Sequence, residues 1–535
     1  MRPRSRLLPV LLLLGIAAGG ASAQQANWGN ATVTAENDTL GLGGDENYTQ
    51  GVRLTFTRVR GWDVATNLKR WLDEKGLLLG DEQYVELPSL VVGHYILTPR
   101  SITTFTPDPD DRPYAGLLYG GLRIDMYRKG DDDVDGSKSF EGIVGLMGPG
   151  AMAGAAQAGL HAIREHRDPK GWNQQIGTQL VVNSSYMSAS RYVARPFDFT
   201  YNWGAALGTL QTFGTLGATV RVGKNLSGMP GSVAAFSVGS EARTAQRPSH
   251  EVGLFGAAHG RAFLWNTYYD GALIGGRPRV DKKPLVNELH AGFFYRYGDW
   301  RFAYTYVSRS REFDTALSNE RHTFGSLTVS REYVKGRPGD EKLPRFLKPL
   351  FADLGVELGL GKGITRVLPE SPGDRTLNGP AGRLGVTKGF DFAKGILRFF
   401  TVGGEITGVT REVGPPDARG AYTDRFLVTR AVTAGVRPFG LDQGRGVLHL
   451  RAGIGRTSVT TERGTGGLEP VREPAKKGRG FLVGANYQVK LGRVLSFGVD
   501  STWSPGSIGA SDLDRTKFLS AMLMVKATLP ATAFP

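Results

Sequence analysis

The sequence predicts an all-β chain, an outer-membrane antiparallel β-barrel of about 12 strands followed by a second, smaller β-barrel of about 8 strands. Three observations carry that expectation. The 535 residues include 75 glycines, about 14% and roughly twice ordinary usage. Cysteine is absent. Hydrophobicity alternates with period two in runs of about 9 to 12 residues bounded by Gly, Asp and Pro. Arg53, Thr55 and Thr57 alternate with Val52, Leu54 and Phe56, Arg451 and Gly453 with Leu450, Ala452 and Ile454, and Ser496, Gly498 and Asp500 with Leu495, Phe497 and Val499. One set suits lipid and the other a lumen. Soluble β-sandwiches share this alternation, but Tyr119, Tyr127, Trp300, Tyr306 and Trp503 fall near strand ends, as the aromatic girdles of a barrel require. No apolar run beyond the N-terminus approaches the roughly 18 to 20 residues of a membrane helix.

The N-terminus reads as a signal peptide over 1–23. Arg2, Arg4 and Arg6 precede the apolar run Leu7 to Ala18, and Ala21-Ser22-Ala23 offers a small-residue cleavage site before Gln24. Its removal takes three arginines and no acid, so the formal charge of +15 falls to +12. For an exported basic protein, the expected acidic partner is outer-membrane lipid or lipopolysaccharide phosphate, with no nucleic acid. The lack of cysteine excludes disulfides, Cys-ligated metal centres and a thiol nucleophile.

Residues 24–335 form the first predicted barrel. A charged, Pro/Gly-bearing linker at 336–349 lacks the period of two. The remainder, 350–535, reads as a C-terminal small β-barrel or β domain, with strands near 352–361, 381–389, 396–409, 425–437, 446–460, 479–491, 494–503 and 517–529. A single larger barrel or a soluble domain are the alternatives for this tail. Long connections fall at 59–82, 98–114, 148–171 and 224–250. With the first strand ending near Asp38, parity puts three chemically rich segments at one rim. These are Glu36-Asn37-Asp38 with Tyr48-Thr49-Gln50-Gly51, Thr98-Pro99-Arg100 through Asp110-Asp111-Arg112-Pro113-Tyr114-Ala115-Gly116, and Gly148-Pro149-Gly150 through Gly171-Trp172-Asn173-Gln174-Gln175.

The chemistry they offer is compatible with a hydrolase, although a loop histidine is more often structural or exposed and an Asn-Asp pair after a strand is usually a turn with Asx hydrogen bonds. If the Ala/Gly stretch after Pro149 turns helically, Gln157 and His161 share a face, and the amide can orient the imidazole. Asn37, Asp38 and Thr49 offer oxygen ligands to a hard cation such as calcium and polar groups for a developing oxyanion. Competing signals are weaker. Asp131-x-Asp133-x-Asp135-Gly136 begins like a calcium loop, but position twelve is Gly142. Gly359-Leu360-Gly361-Lys362-Gly363 lacks phosphate-loop spacing, and no G-x-S-x-G elbow occurs. His166 lies five residues from His161 and misses the i, i+4 spacing of a helical zinc pair. His449 falls on the polar side of its strand and reads as a lumen residue.

In their order, the three segments resemble the outer-membrane lipid A 3'-O-deacylase family over residues 27–333. The resemblance implies a twelve-stranded barrel and Ca2+-dependent hydrolysis of the 3'-linked acyloxyacyl ester of lipid A. His161 is then the general base that activates water, supported by Gln157, and Asn37, Asp38 and Thr49 shape the cation and oxyanion site. A member of that family has a Lys in the loop after the Thr-Pro element, whereas no Lys occurs here between Leu90 and Arg128. Arg100 and Arg112 are the substitutes for substrate binding. The expected protein is a monomeric ester hydrolase of the bacterial outer membrane, with its active site at the outer leaflet. The alternatives are a non-enzymatic barrel, serving as pore, structural or lipid-binding protein, and a phospholipase acting on other outer-leaflet esters.

Overall fold

The computed structural model describes residues 28–41, 48–58, 70–71, 74, 84–102, 104–129, 134–164, 169–229, 250–271, 280–298, 300–315, 321–332, 354–368, 376–390, 399–412, 422–437, 446–464, 471–472, 476–491, 495–507 and 515–529. The signal peptide, the 336–349 linker and Asp131 and Asp133 lie outside the described residues.

Twelve antiparallel strands close the first barrel. They are β1 (Trp28–Asn37), β2 (Tyr48–Arg58), β3 (Tyr84–Leu97), β4 (Ala115–Lys129), β5 (Val134–Met147), β6 (Gln179–Ala194), β7 (Phe197–Gly208), β8 (Gln211–Lys224), β9 (His250–Asn266), β10 (Leu285–Tyr297), β11 (Trp300–Ser310) and β12 (Arg321–Glu332). Each pairs with its sequence neighbour, and β1 closes the ring on β12 from Asn30↔Glu332 to Asn37↔Gly325. The count and the parity agree with the sequence expectation. The connections after β1, β3 and β5 therefore share one end, together with those after β7, β9 and β11.

Burial follows the period of two. Arg53, Thr55 and Thr57 are buried in the lumen, while Phe197, Phe199, Tyr201 and Trp203 of β7 are exposed on the outer wall. Tyr119 departs from its expected place in a girdle. It faces the lumen, stacks on Tyr95 with centroids 5.9 Å apart, and accepts a hydrogen bond from Arg53 at 3.3 Å. The reason is register: Tyr119 opposes Gly93 and Gly145, two residues without side chains that leave lumen space for a ring.

The second barrel contains β13 (Leu354–Leu368), β14 (Thr376–Gly389), β15 (Phe400–Glu412), β16 (Tyr422–Val436), β17 (Gly446–Gly464), β19 (Lys476–Leu491), β20 (Leu495–Ser507) and β21 (Arg515–Leu529). The pairing β16–β17 closes these eight strands, and the two-residue β18 (Val471–Arg472) hangs on β17. All eight expected strands are present, and Gly359 to Gly363 is plain strand. Side chains fill the lumen. Arg383 pairs with Glu357 at 2.7 Å and Glu405 at 2.9 Å, and Arg451 with Glu405 at 2.6 Å and Asp500 at 2.7 Å. His449 is buried there, 2.7 Å from Thr401 Oγ1.

By contacts, the chain divides into two units. One holds the second barrel together with Gly154–Pro169, and the other holds the first barrel.

Candidate active site

At the rim of the first barrel, β1 ends in Asn37 and a 3-10 turn follows over Asp38–Gly41. The turn is pinned to β12. A Cβ on Gly325 would sit 2.5 Å from Leu40 Cβ, so only glycine lets the turn approach this closely. The Tyr304 hydroxyl donates to the Leu40 carbonyl at 2.6 Å. Asn37 is half-buried and Asp38 is 1% exposed. Thr49 belongs to β2, and its side chain lies outside the described set.

The loop after β3 is held from three sides. Asp111 accepts the backbone N–H of Arg100 and of Arg112, each at 2.7 Å. Thr315 donates to the Asp110 carbonyl at 2.6 Å. Arg112 runs inward. Its Nη2 lies 3.2 Å from Glu312 Oε2, and its guanidinium lies 5.5 Å and 6.0 Å from the ring centroids of Phe313 and Tyr269. Tyr269 belongs to the short helix Thr267–Asp270 after β9. Burial alone would raise the Glu312 carboxyl, but Arg309 and Arg112 together hold it below the usual carboxylate range. Arg112, expected to bind substrate, is thus a buried latch between three connections. Arg100, the other candidate, is exposed at the rim.

The segment after β5 opens with Gly148, whose φ of +86° favours glycine, and its N–H donates to the Gly116 carbonyl at 2.9 Å. A 3-10 turn at Pro149–Ala151 leads into α1 (Ala153–Arg164). The His94 ring hydrogen-bonds the Ala151 carbonyl at 2.9 Å. Gln157 and His161 stand one turn apart on α1, and their exposures are 1% and 2%. Beyond the helix, the Lys170 N–H donates to the Ile102 carbonyl and the Ile176 N–H to the Tyr114 carbonyl, both at 2.9 Å. The rings of Trp172 and Tyr114 pack 4.8 Å apart.

Asn37, Asp38 and Arg100 therefore belong to the rim of the first barrel, whereas Gln157 and His161 sit on a helix grouped by contacts with the second. The sequence reading missed Glu312, Phe313, Tyr269 and His94. Only the sequence neighbourhood Arg311-Glu312-Phe313-Asp314 at a strand end hinted at the first two.

Fold and rim define an outer-membrane β-barrel whose loops assemble polar chemistry at one end. The family model "Outer membrane protein LpxR" matches residues 7–333, more than half the chain. The chain belongs to that family, the lipid A 3'-O-deacylases that the rim motifs resemble, and it is an outer-membrane protein. Among solved structures, LpxR from Salmonella typhimurium is 18% identical, with 57% of this chain and 100% of that chain covered and a TM-score of 0.46. Ail, the attachment invasion locus protein of Yersinia pestis, is 13% identical over 33% of this chain and 99% of its own, with a TM-score of 0.23. Neisserial surface protein A is 11% identical over 32% and 96%, also at 0.23. No curated protein matches.

Proposed function

We propose that the protein hydrolyses the ester holding the 3'-linked acyloxyacyl group of lipid A, with its active site at the outer leaflet. The observation that carries this reading is the placement of Gln157 and His161 on one face of α1, within a chain of the LpxR family. In the proposed step the neutral His161 imidazole takes a proton from water, and the resulting hydroxide adds to the ester carbonyl. Collapse of the tetrahedral intermediate breaks the bond to the sugar oxygen, which takes up the proton. The products are a free acyloxyacyl acid and a 3'-hydroxyl. Gln157 holds the imidazole in orientation, Asn37 and Thr49 supply polar groups to the oxyanion, and the exposed Arg100 suits a lipid A phosphate.

The donor chemistry of the first rim segment suits Ca2+. Asp38 is a buried carboxylate next to the Asn37 amide, and calcium accepts neutral amide and carbonyl oxygens alongside carboxylates. Among the described residues no group of three or more His, Asp or Glu is placed to hold a metal. Asp38 would supply a charged oxygen to such an ion and Asn37 a neutral one. Bound there, calcium would polarise the ester carbonyl.

Expression in a lipid A-producing host, followed by mass spectrometry of lipid A, tests the reading. Loss of the mass of one acyloxyacyl group is the expected result, together with arrest of the purified protein by a calcium chelator. An unchanged acyl pattern from folded, surface-localised protein would overturn it.

A further inference from the structure

Within the unit that joins Gly154–Pro169 to the second barrel, the two parts meet backbone to backbone. A Cβ on Gly382 of β14 would strike the Gly159 carbonyl oxygen, and one on Gly408 of β15 would strike that of Ala162. A Cβ on Gly159 would lie 2.5 Å from Leu360 Cδ2 and 3.2 Å from the Ala381 carbonyl oxygen. Gly382 and Gly408 are directly paired across β14 and β15. Their neighbours Arg383 and Thr407 are buried in the lumen, so the two glycines form a notch in the outer wall. At about 100° per residue, Gly159, Ala162 and Ile163 occupy one side of α1 and Gln157 and His161 the opposite side.

We propose that this notch seats α1, and that Gly382 and Gly408 are positioning residues for His161. The inference rests on the reading of His161 as general base, and it gives the C-terminal barrel a task that strand patterning alone does not. Close packing of a helix against a wall depends on small residues that let backbones approach. The helix carries them as Ala153, Gly154, Ala155, Ala156, Ala158, Gly159 and Ala162. Any side chain at 382 or 408 would push the helix off its seat. A displacement of the order of 1 Å costs a catalytic group about 100-fold in rate.

Because the chain lacks cysteine, paired cysteines report the contact cleanly. In full-length protein in the outer membrane, Gly159→Cys with Leu360→Cys, which keeps both notch glycines and vacates the Leu360 side chain, is expected to form a disulfide on mild oxidation, read as a linked peptide by mass spectrometry. Gln157→Cys with Leu360→Cys, where residue 157 lies on the side of α1 away from the notch, is expected to form none. Gly382→Leu should lower kcat by about 10- to 100-fold with KM nearly unchanged and should shift the acid limb of the pH–rate profile, while the folded, heat-sensitive gel mobility persists. Gly159→Leu should behave similarly, and Leu360→Ala should restore part of its kcat by vacating the space the new side chain needs. Failure of the Gly159→Cys/Leu360→Cys disulfide in folded protein overturns the docking, whatever the activity. A formed disulfide with wild-type kcat in Gly382→Leu overturns the positioning role. Wild-type protein that releases no acyl group overturns the catalytic reading, and with it the positioning role, even where the disulfide forms.

Discussion

The two barrels fill their lumens differently. In the first, buried ion pairs join strands at several places among the described residues, and some are linked through backbone groups, as Arg221 and Glu251 are through Ser227. Arg53 pairs with Glu141 at 2.6 Å, Arg191 with Asp198 at 2.8 Å, Arg296 with Glu251 at 3.4 Å, and Arg309 with Glu288 at 2.8 Å. In the second, Lys526, Glu357, Arg383, Glu405, Arg451 and Asp500 form one continuous network. The first barrel also builds a rim of interlocked connections whose polar residues no strand requires. A charged lumen is thus a way to close a barrel, and the capacity for chemistry comes from what is assembled at its end.

The largest effect that tests this contrast is on stability. Arg451→Ala leaves Glu405 and Asp500 short of a buried partner and should destabilise the second barrel by about 3–5 kcal/mol, measured by urea unfolding in detergent or bilayers. Continuity makes a second prediction. Arg383→Met and Arg451→Met should couple by about 0.5–3 kcal/mol in a double-mutant cycle, whereas Arg53→Met and Arg221→Met in the first barrel should add within about 0.5 kcal/mol. Equal additivity in both barrels would erase the distinction.

At the rim, Glu312→Gln removes the carboxylate charge 3.2 Å from the buried Arg112 guanidinium and should loosen the 98–114 loop by about 1–3 kcal/mol, seen as faster hydrogen exchange there. The sign of its pH dependence follows from the depressed Glu312 carboxyl. The stabilisation is complete above the unfolded value of about 4.3 and is lost only as pH falls through the lower folded value. Glu312→Gln should flatten that acid limb. Smaller still, Arg100→Ala should raise KM for lipid A with kcat unchanged, as expected of a contact made equally in ground and transition states.

Much of the fold was legible because an outer-membrane strand writes its two environments into alternate residues. Arg451 and Asp500 point inward and Leu450 and Val499 outward, as the period of two requires. Tyr119 broke the pattern through its glycine neighbours on adjacent strands, which a one-dimensional pattern does not align. Parity brought the loops after β1, β3 and β5 to one end, and the i, i+4 spacing of Gln157 and His161 gave their shared face. Two features were hidden. Arg112 has the chemistry of a phosphate ligand in sequence, yet its partners Glu312, Phe313 and Tyr269 come from connections more than 150 residues away. The approach of Gly159 and Ala162 of α1 to Gly382 and Gly408 is non-local too.

In the proposed reaction the chemistry belongs to His161 on α1 and not to the buried histidine of the second barrel. Release of acyloxyacyl acid from lipid A micelles by purified, calcium-loaded protein tests it most directly. His161→Ala should lower kcat by about 100- to 10,000-fold, and His449→Ala should leave it within about twofold of wild type. Wild-type turnover in folded His161→Ala would contradict the account.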